Sequence, residues 1–168
     1  MTVTSVRKDP NALTMTITAE LDATVDRVWQ LWTDPRQLER WWGPPTYPAT
    51  FVDHDLVAGR RVTYFMTGPN GDEFHGWWRV VAVEPPNRLE LRNGFANGDG
   101  TPNDAMPTMT MVVTLTERKS NGTVMAIETQ FPSVEAMVQL ASMGMEDGMV
   151  AAMGQIPEIL AGGVATRK

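Results

Sequence analysis

Residues Leu13 to Leu21 read Leu-Thr-Met-Thr-Ile-Thr-Ala-Glu-Leu, apolar and polar in strict alternation. A pleated strand sends successive side chains to opposite faces. The pattern therefore predicts a half-buried strand, with Leu13, Met15, Ile17, Ala19 and Leu21 on one side and the threonines and Glu20 in solvent. The period then changes. Val25, Val28, Trp29 and Trp32 follow the i, i+3, i+4, i+7 spacing of one buried helical face. Asp34 can cap a second short helix, with Pro35 at its first position and Gln37 three residues after the cap. Gly43 and Pro44-Pro45 stop it, since glycine permits a left-handed exit and proline cannot extend the hydrogen-bond ladder. Trp41 and Trp42 are adjacent, about 100° apart on a helix, so one is expected in the core and the other at a rim.

Strand patterns resume over Thr46–Asp53, Arg61–Met66, Glu73–Glu84, Arg88–Asn93, Thr108–Arg118 and Thr123–Phe131. Gly68-Pro69-Asn70-Gly71 and Pro85-Pro86-Asn87 mark turns, and Asn121-Gly122 is a specific hairpin signal. Gly94 to Pro107, rich in Gly, Asn, Asp and Pro, reads as a surface loop, and its composition suits a mobile cover over a cavity mouth and an ordinary long hairpin connection equally well. From Pro132-Ser133 the pattern is helical to the end, with Met145, Met149, Ala152, Met153, Ile156, Ile159 and Leu160 on one stripe and a kink expected at Pro157. Strands in a run with helices segregated at the ends predict an α+β fold, a curved antiparallel sheet of about six or seven strands around one long C-terminal helix. Residues 1–168 form one expected domain, with residues 1–11 and 162–168 as flexible ends.

Composition narrows the function classes. A net charge of −6 argues against binding nucleic acid or anionic membrane surfaces, which need clustered Lys and Arg. Without cysteine there is no disulfide framework, thiolate nucleophile or zinc–thiolate site. The polar stretch Met1 to Asn11 lacks a signal-peptide core, so the cytoplasm is the default compartment.

The chain resembles the START-like, helix-grip (SRPBCC) superfamily, and within it the branch homologous to the activator of heat-shock protein 90 ATPase. The resemblance rests on Ala23 to Val28-Trp29, Thr33-Asp34-Pro35 to Trp41-Trp42-Gly43-Pro44, and Asp55 to Gly59-Arg60-Arg61. It continues through Glu84-Pro85-Pro86-Asn87-Arg88-Leu89, Phe131-Pro132-Ser133 and Met143-Gly144-Met145-Glu146-Asp147-Gly148-Met149. Two positions depart from the family pattern: Arg60, where a second glycine is common, and Met149, where a tryptophan is common. The resemblance implies a helix-grip fold and an apolar ligand cavity between sheet and helix. It does not imply chaperone interaction, because nothing in this sequence corresponds to the additional N-terminal domain by which the eukaryotic co-chaperone contacts its partner.

Nine of the twelve methionines lie at or beyond Met106, on segments expected to face one another. Methionine lines adaptable cavities as readily as it fills a solid core. The candidate lining is Trp42, Phe65, Trp78, Phe95, Met109, Met111, Phe131, Met149 and Met153, with Tyr64, His75, Arg92 and Glu128 as polar candidates. Trp78 is expected inward, because alternation places Trp77 beside the solvent-facing Arg79. Asp53-His54-Asp55 is not a ready catalytic constellation, since a strand points His54 away from both carboxylates. No cofactor, metal site or catalytic residue is expected. The leading expectation is binding of an apolar or aromatic small molecule without chemistry. A cyclase-, hydrolase- or lyase-like enzyme acting on an aromatic or polyketide-like substrate is the first alternative, and it needs a titratable group inside the cavity. A protein–protein module, acting on a chaperone or on a second copy as a homodimer, is the other.

Overall fold

A computed structural model describes residues 2–162. Eight strands form one antiparallel sheet: β1 (Val3–Asp9), β2 (Thr14–Leu21), β3 (Ala49–Asp53), β4 (Arg61–Thr67), β5 (Glu73–Glu84), β6 (Arg88–Phe95), β7 (Thr108–Arg118) and β8 (Gly122–Gln130). Their spatial order is β1-β2-β8-β7-β6-β5-β4-β3. Two short helices, α1 (Val25–Thr33) and α2 (Pro35–Leu38), follow β2, and α3 (Val134–Ser142), α4 (Met145–Met153) and α5 (Ile156–Gly162) close the chain. The architecture is α+β with one large antiparallel sheet, two short helices near its start and helical structure at the C-terminal end, as expected, but with eight strands rather than six or seven.

The extra strand is β1. Residues 3–9 were expected to be flexible, yet they pair with β2 from Val3↔Ala19 to Asp9↔Thr14. The segment carries little apolar periodicity because it is an edge strand whose last residues, Arg7, Lys8 and Asp9, are exposed. Charges on an edge also discourage pairing with another chain. Residues 163–168 of the expected C-terminal tail lie outside the described residues, and Gly162 belongs to α5.

The alternation in β2 holds: Met15, Ile17, Ala19 and Leu21 are buried, while Leu13 sits just before the strand at φ 59°. Thr24 caps α1 by accepting from the Arg27 N–H at 3.2 Å. The buried residues of α1 are Val25, Val28, Leu31 and Trp32, so Leu31 takes the core position assigned to Trp29, which is half-buried. Asp34 caps α2, accepting from the Arg36 N–H at 3.0 Å and from Gln37 Nε2 at 2.9 Å. At the β7–β8 hairpin the left-handed residues are Ser120 and Asn121 (φ 65° and 61°), and Gly122 already belongs to β8.

The expected long C-terminal helix is three shorter ones. Gly144, at φ 84°, separates α3 from α4, a backbone conformation that glycine adopts without the steric cost a side chain imposes. The second break, at Gly154-Gln155, lies one turn before Pro157. Proline at 157 cannot donate to the Met153 carbonyl and crowds it, so the helix ends there and restarts with Pro157 in the first turn of α5, where proline is tolerated.

Candidate functional site: an apolar cavity under the broken helix

Inward-facing positions of the sheet fill most of the space beneath the helices. Ile17, Met125, Ile127, Leu89, Leu91, Met111 and Val113 are all buried with Trp32, Leu38 and Met153. Six aromatic rings continue this core toward β4 and β5. Trp32 and Trp41 meet edge-to-face at 4.8 Å, Trp42 and Trp78 at 5.0 Å, and Tyr64 lies 5.1 Å from Phe51 and 6.1 Å from Trp42. Both Trp41 and Trp42 are buried, against the expectation that one would sit at a rim. The chain leaves α2 in a tight turn, with both amides bonded to the Leu38 carbonyl, so the two indoles diverge into different packing partners. Trp41 donates to the Leu31 carbonyl at 3.1 Å on the α1 side, whereas Trp42 packs on the sheet. Gln155 fixes this turn from the helical side, donating to the Gly43 carbonyl at 2.7 Å.

Beyond Trp42 the packing stops. A cavity of about 260 Å³ lies between β4, β5, β6 and β7 below and the α3–α4 junction above. Its walls are Trp42, Pro44, Tyr64, Met66, Phe74, His75, Gly76, Asn93, Gly94, Phe95, Met109, Leu140, Met143, Met145, Gly148 and Met149. Phe74 and Met143 are more than half exposed, an arrangement that puts bare apolar side chains at the mouth.

Gly148 accounts for much of the opening. On α4, residues 145, 148, 149 and 152 share one face by helical spacing. Met145, Gly148 and Met149 line the cavity from it, and Ala152 is buried. A Cβ at Gly148 would have no atom within 4 Å. Glycine inside a helix costs roughly 1 kcal/mol relative to alanine. No close approach of another chain segment requires it here, so what it leaves is empty volume.

The polar groups of the cavity gather on the sheet side. Tyr64 leans across onto Gly76, its register partner, where any Cβ would collide with the phenol. Burial pushes the Tyr64 phenol above its ordinary 10.0, opposed in part by the indole N–H groups of Trp42 and Trp78, which point toward its oxygen. Neither indole reaches hydrogen-bond geometry: Trp42 Nε1 and Trp78 Nε1 are both shielded and unpartnered, and so is Asn93 Oδ1. Asn93 is the register partner of Trp78, so these shielded atoms lie close together behind the cavity floor.

Of the lining expected from sequence, Trp42, Phe95, Met109 and Met149 reach the cavity with Tyr64. Trp78 does face inward, but it and Met111, Phe131 and Met153 are core residues packed behind the walls. Phe65 is on the opposite face of the sheet: Tyr64 faces the core, so alternation turns Phe65 away, onto the ring of its partner His75 at 5.5 Å. His75 therefore lends the cavity wall its strand while its imidazole stays outside, 3.2 Å from Glu73. Arg92 is exposed, and Glu128 lies on the outer face accepting from Gln130 at 2.8 Å. Asp53 accepts from Thr63 on the surface, and His54 bonds the Trp32 carbonyl at 3.0 Å. None of these brings an imidazole or carboxylate into the cavity; the titratable group that does line it is the Tyr64 phenol.

Of the expected loop Gly94–Pro107, Gly94 and Phe95 belong to β6 and line the cavity, while Ala96–Pro107 line none of it, so the segment is a hairpin connection and not a cover. It is tied down locally, with Ala96 bridged to Pro102 and Asp99 accepting from Thr101 Oγ1 at 2.6 Å and its N–H at 3.0 Å, bonds that hold the Asp99 carboxyl below the usual range. The mouth is formed instead by the α3–α4 junction, Phe74 and Pro44. Sequence reasoning missed Met66, Asn93, Leu140, Met145 and Gly148. Met145 and Gly148 were legible in principle, since they share the helical face of Met149. Among the described residues no three His, Asp or Glu side chains gather as a metal site, and no helix is long and apolar enough to cross a membrane.

Comparison with known proteins bears on the family and the fold. The family described as activator of Hsp90 ATPase homolog 1-like protein matches residues 22–161. A solution structure of a protein from Arthrobacter aurescens is 49% identical over 95% of this chain and 92% of its own, with a TM-score of 0.91. A crystal structure from Mycobacterium smegmatis is 47% identical over 94% of this chain and 96% of its own, with a TM-score of 0.87. DynU16, a putative protein in the dynemicin biosynthetic locus, shares the fold at 21% identity and a TM-score of 0.62, over 90% of this chain and 48% of its own. No curated protein matches the sequence. The family match over 22–161, on a sheet that carries its helices on one side, places the chain in the activator of Hsp90 ATPase homolog 1-like family of the START-like, helix-grip superfamily.

Proposed function

We propose that the protein binds a small apolar or aromatic molecule in the cavity between the sheet and α4. The observation that carries this reading is Gly148. A helix that only closed a core would gain from a side chain there, by propensity and by burial. This one keeps position 148 bare, between Met145 and Met149, above a floor of Met109, Tyr64 and Phe95. The volume, about 260 Å³, exceeds the roughly 150 Å³ of an apolar cavity that takes up benzene. Affinity would come chiefly from apolar area removed from water, about 25 cal/mol per Å² before ordering costs. The methionines suit a guest whose outline is not rigidly specified.

The reading is tested by titrating the protein with a fluorescent apolar probe while following tryptophan emission, since Trp42 forms one wall. Stoichiometric, saturable quenching is expected, and Gly148→Leu, which puts a side chain into the space without replacing any residue of the sheet, should abolish it. Equal binding by the wild type and Gly148→Leu would place the probe elsewhere and overturn the reading.

A further inference from the structure

The outer face of the sheet carries charge where the cavity carries none. Val62, Trp78 and Leu91 are buried on the helix side, so strand alternation turns Arg61, Arg79 and Arg92 to the opposite face, and all three are exposed. Register sets them side by side: Arg61 pairs with Arg79 across β4–β5, and Arg79 with Arg92 across β5–β6. With strands about 4.8 Å apart, the row spans about 10 Å. Like charges directly opposite one another destabilise a sheet, so folding gives no reason for it. Nor is there a shortage of carboxylates. The chain has 20 acidic residues against 14 basic ones, and Lys8, Arg36, Arg60, Arg88 and Arg118 each lie within 4.0 Å of one. Among the described residues, Arg61, Arg79 and Arg92 pair with none. Two carboxylates beside the row are committed elsewhere. Glu90, two residues from Arg92 on the same face, accepts from Arg88 at 2.8 Å, and Asp53 accepts from its register partner Thr63 at 3.0 Å.

Two exposed valines flank this row. Val81 follows Arg79 in β5 where the register with β6 shifts, and Val57 belongs to the turn before β4, which Gly59 fixes to β5 by donating to the Val80 carbonyl at 2.8 Å. We propose that this face docks an acidic segment of a partner protein, its carboxylates on Arg61, Arg79 and Arg92 and its apolar side chains on Val57 and Val81. The planar guanidinium fork matches a carboxylate in two parallel bonds. Each exposed pair contributes little alone, so a small anion on this open face gains little, whereas a segment engaging all three at once adds their contributions. The net charge of −6 opposes a long polyanion such as nucleic acid. Physiological salt screens that field beyond about 8 Å, which leaves pairs in contact intact. The face lies across the sheet from the cavity and stands independently of the binding function proposed above.

The test follows the anisotropy of a fluorescein-labelled peptide of glutamate, leucine and serine, titrated with the full-length protein. Binding is expected to weaken as salt is raised. The triple variant Arg61→Thr, Arg79→Thr, Arg92→Thr should bind at least about tenfold more weakly. A control triple, Lys8→Ser, Arg36→Ser, Lys119→Ser, makes the same change in net charge and should lose less than about threefold. Because Arg79 stands between two like charges, Arg79→Thr alone should weaken binding without lowering the melting temperature. A lowered melting temperature with unchanged binding would assign the row to folding and overturn the proposal. Equal losses in the two triples would reduce the effect to net charge and overturn it too, as would a wild type that does not bind the peptide. Inorganic polyphosphate held more tightly than the peptide by the same arginines would give the row to phosphates instead of carboxylates. Self-association of the wild type that the row triple abolishes would make a second copy the partner, and either result overturns the assignment to an acidic partner protein.

Discussion

Around α1, Trp32, Trp41 and Leu31 interlock with Ile17, Leu89 and Met125 so closely that none has appreciable exposed surface. Beneath α4 the same sheet faces Gly148 and Met149 across open space. Both regions are helix on sheet, and methionine serves in both, as Met111, Met125 and Met153 in the solid part and as Met109, Met145 and Met149 around the cavity. The difference comes from two devices. The tryptophan turn after α2 plugs one end, held by Gln155 on the Gly43 carbonyl. At the other end Gly144 breaks the helix and Gly148 withholds a side chain. The comparison teaches that stability and vacancy are kept apart within one core, so that substitutions in the two regions should have different signatures.

The largest expected effect is in the solid region. Trp32→Ala should cost about 3–5 kcal/mol in urea denaturation, because a fully buried ring leaves a hole that its neighbours cannot close. A loss under about 1 kcal/mol would mean that this region is no better packed than the other. Gly148→Leu should have the opposite sign, adding roughly 1 kcal/mol from helix propensity alone while removing ligand binding. Destabilisation there would show that the space beneath α4 is not free to be filled.

A pH series sharpens the contrast. The Tyr64 phenol titrates above 10.0 in the folded protein and near it when unfolded. The folded state thus holds the proton more tightly, and the stability contributed is complete below pH 10 and declines as pH rises toward the folded value. Tyr64→Phe should flatten that alkaline decline in a denaturation series, and ultraviolet titration should lose its latest phenolate step. Identical alkaline slopes in both proteins would contradict the burial of this phenol. The smallest effect belongs to the surface. Lys8 and Glu146 pair at 2.7 Å between β1 and α4, both partly exposed. Lys8→Ala should change stability by about 0.2–1 kcal/mol and lose that difference in high salt.

The fold was largely legible in the sequence, because strand alternation and turn chemistry are local. Asp34-Pro35 and the strict alternation of Met15 to Leu21 each commit a segment without help from its neighbours. What escaped was set by tertiary context. Val3–Asp9 is polar because it is an edge, so its pairing with β2 leaves little periodic trace. The break at Gly144 was masked by apolar residues continuing on both sides, and only its φ of 84° distinguishes it from a helical glycine. The cavity was harder still. Met109 and Met111 are two residues apart on one face of β7, yet one lines the cavity and the other is sealed in the core. Which of them meets empty space depends on what the helices bring to the other side of the core, Gly148 among the residues around the cavity and Met153 in the sealed core, and no pattern within the strand carries that information.

That pair of methionines also supplies the most direct measurement. With methionine methyls labelled for NMR and toluene titrated in, the account predicts saturable shifts at Met66, Met109, Met145 and Met149. Met15, Met111, Met125 and Met153, buried in the solid region, should stay in place. Shifts in the second set without the first, or no saturable shift in either, would contradict a vacancy under α4.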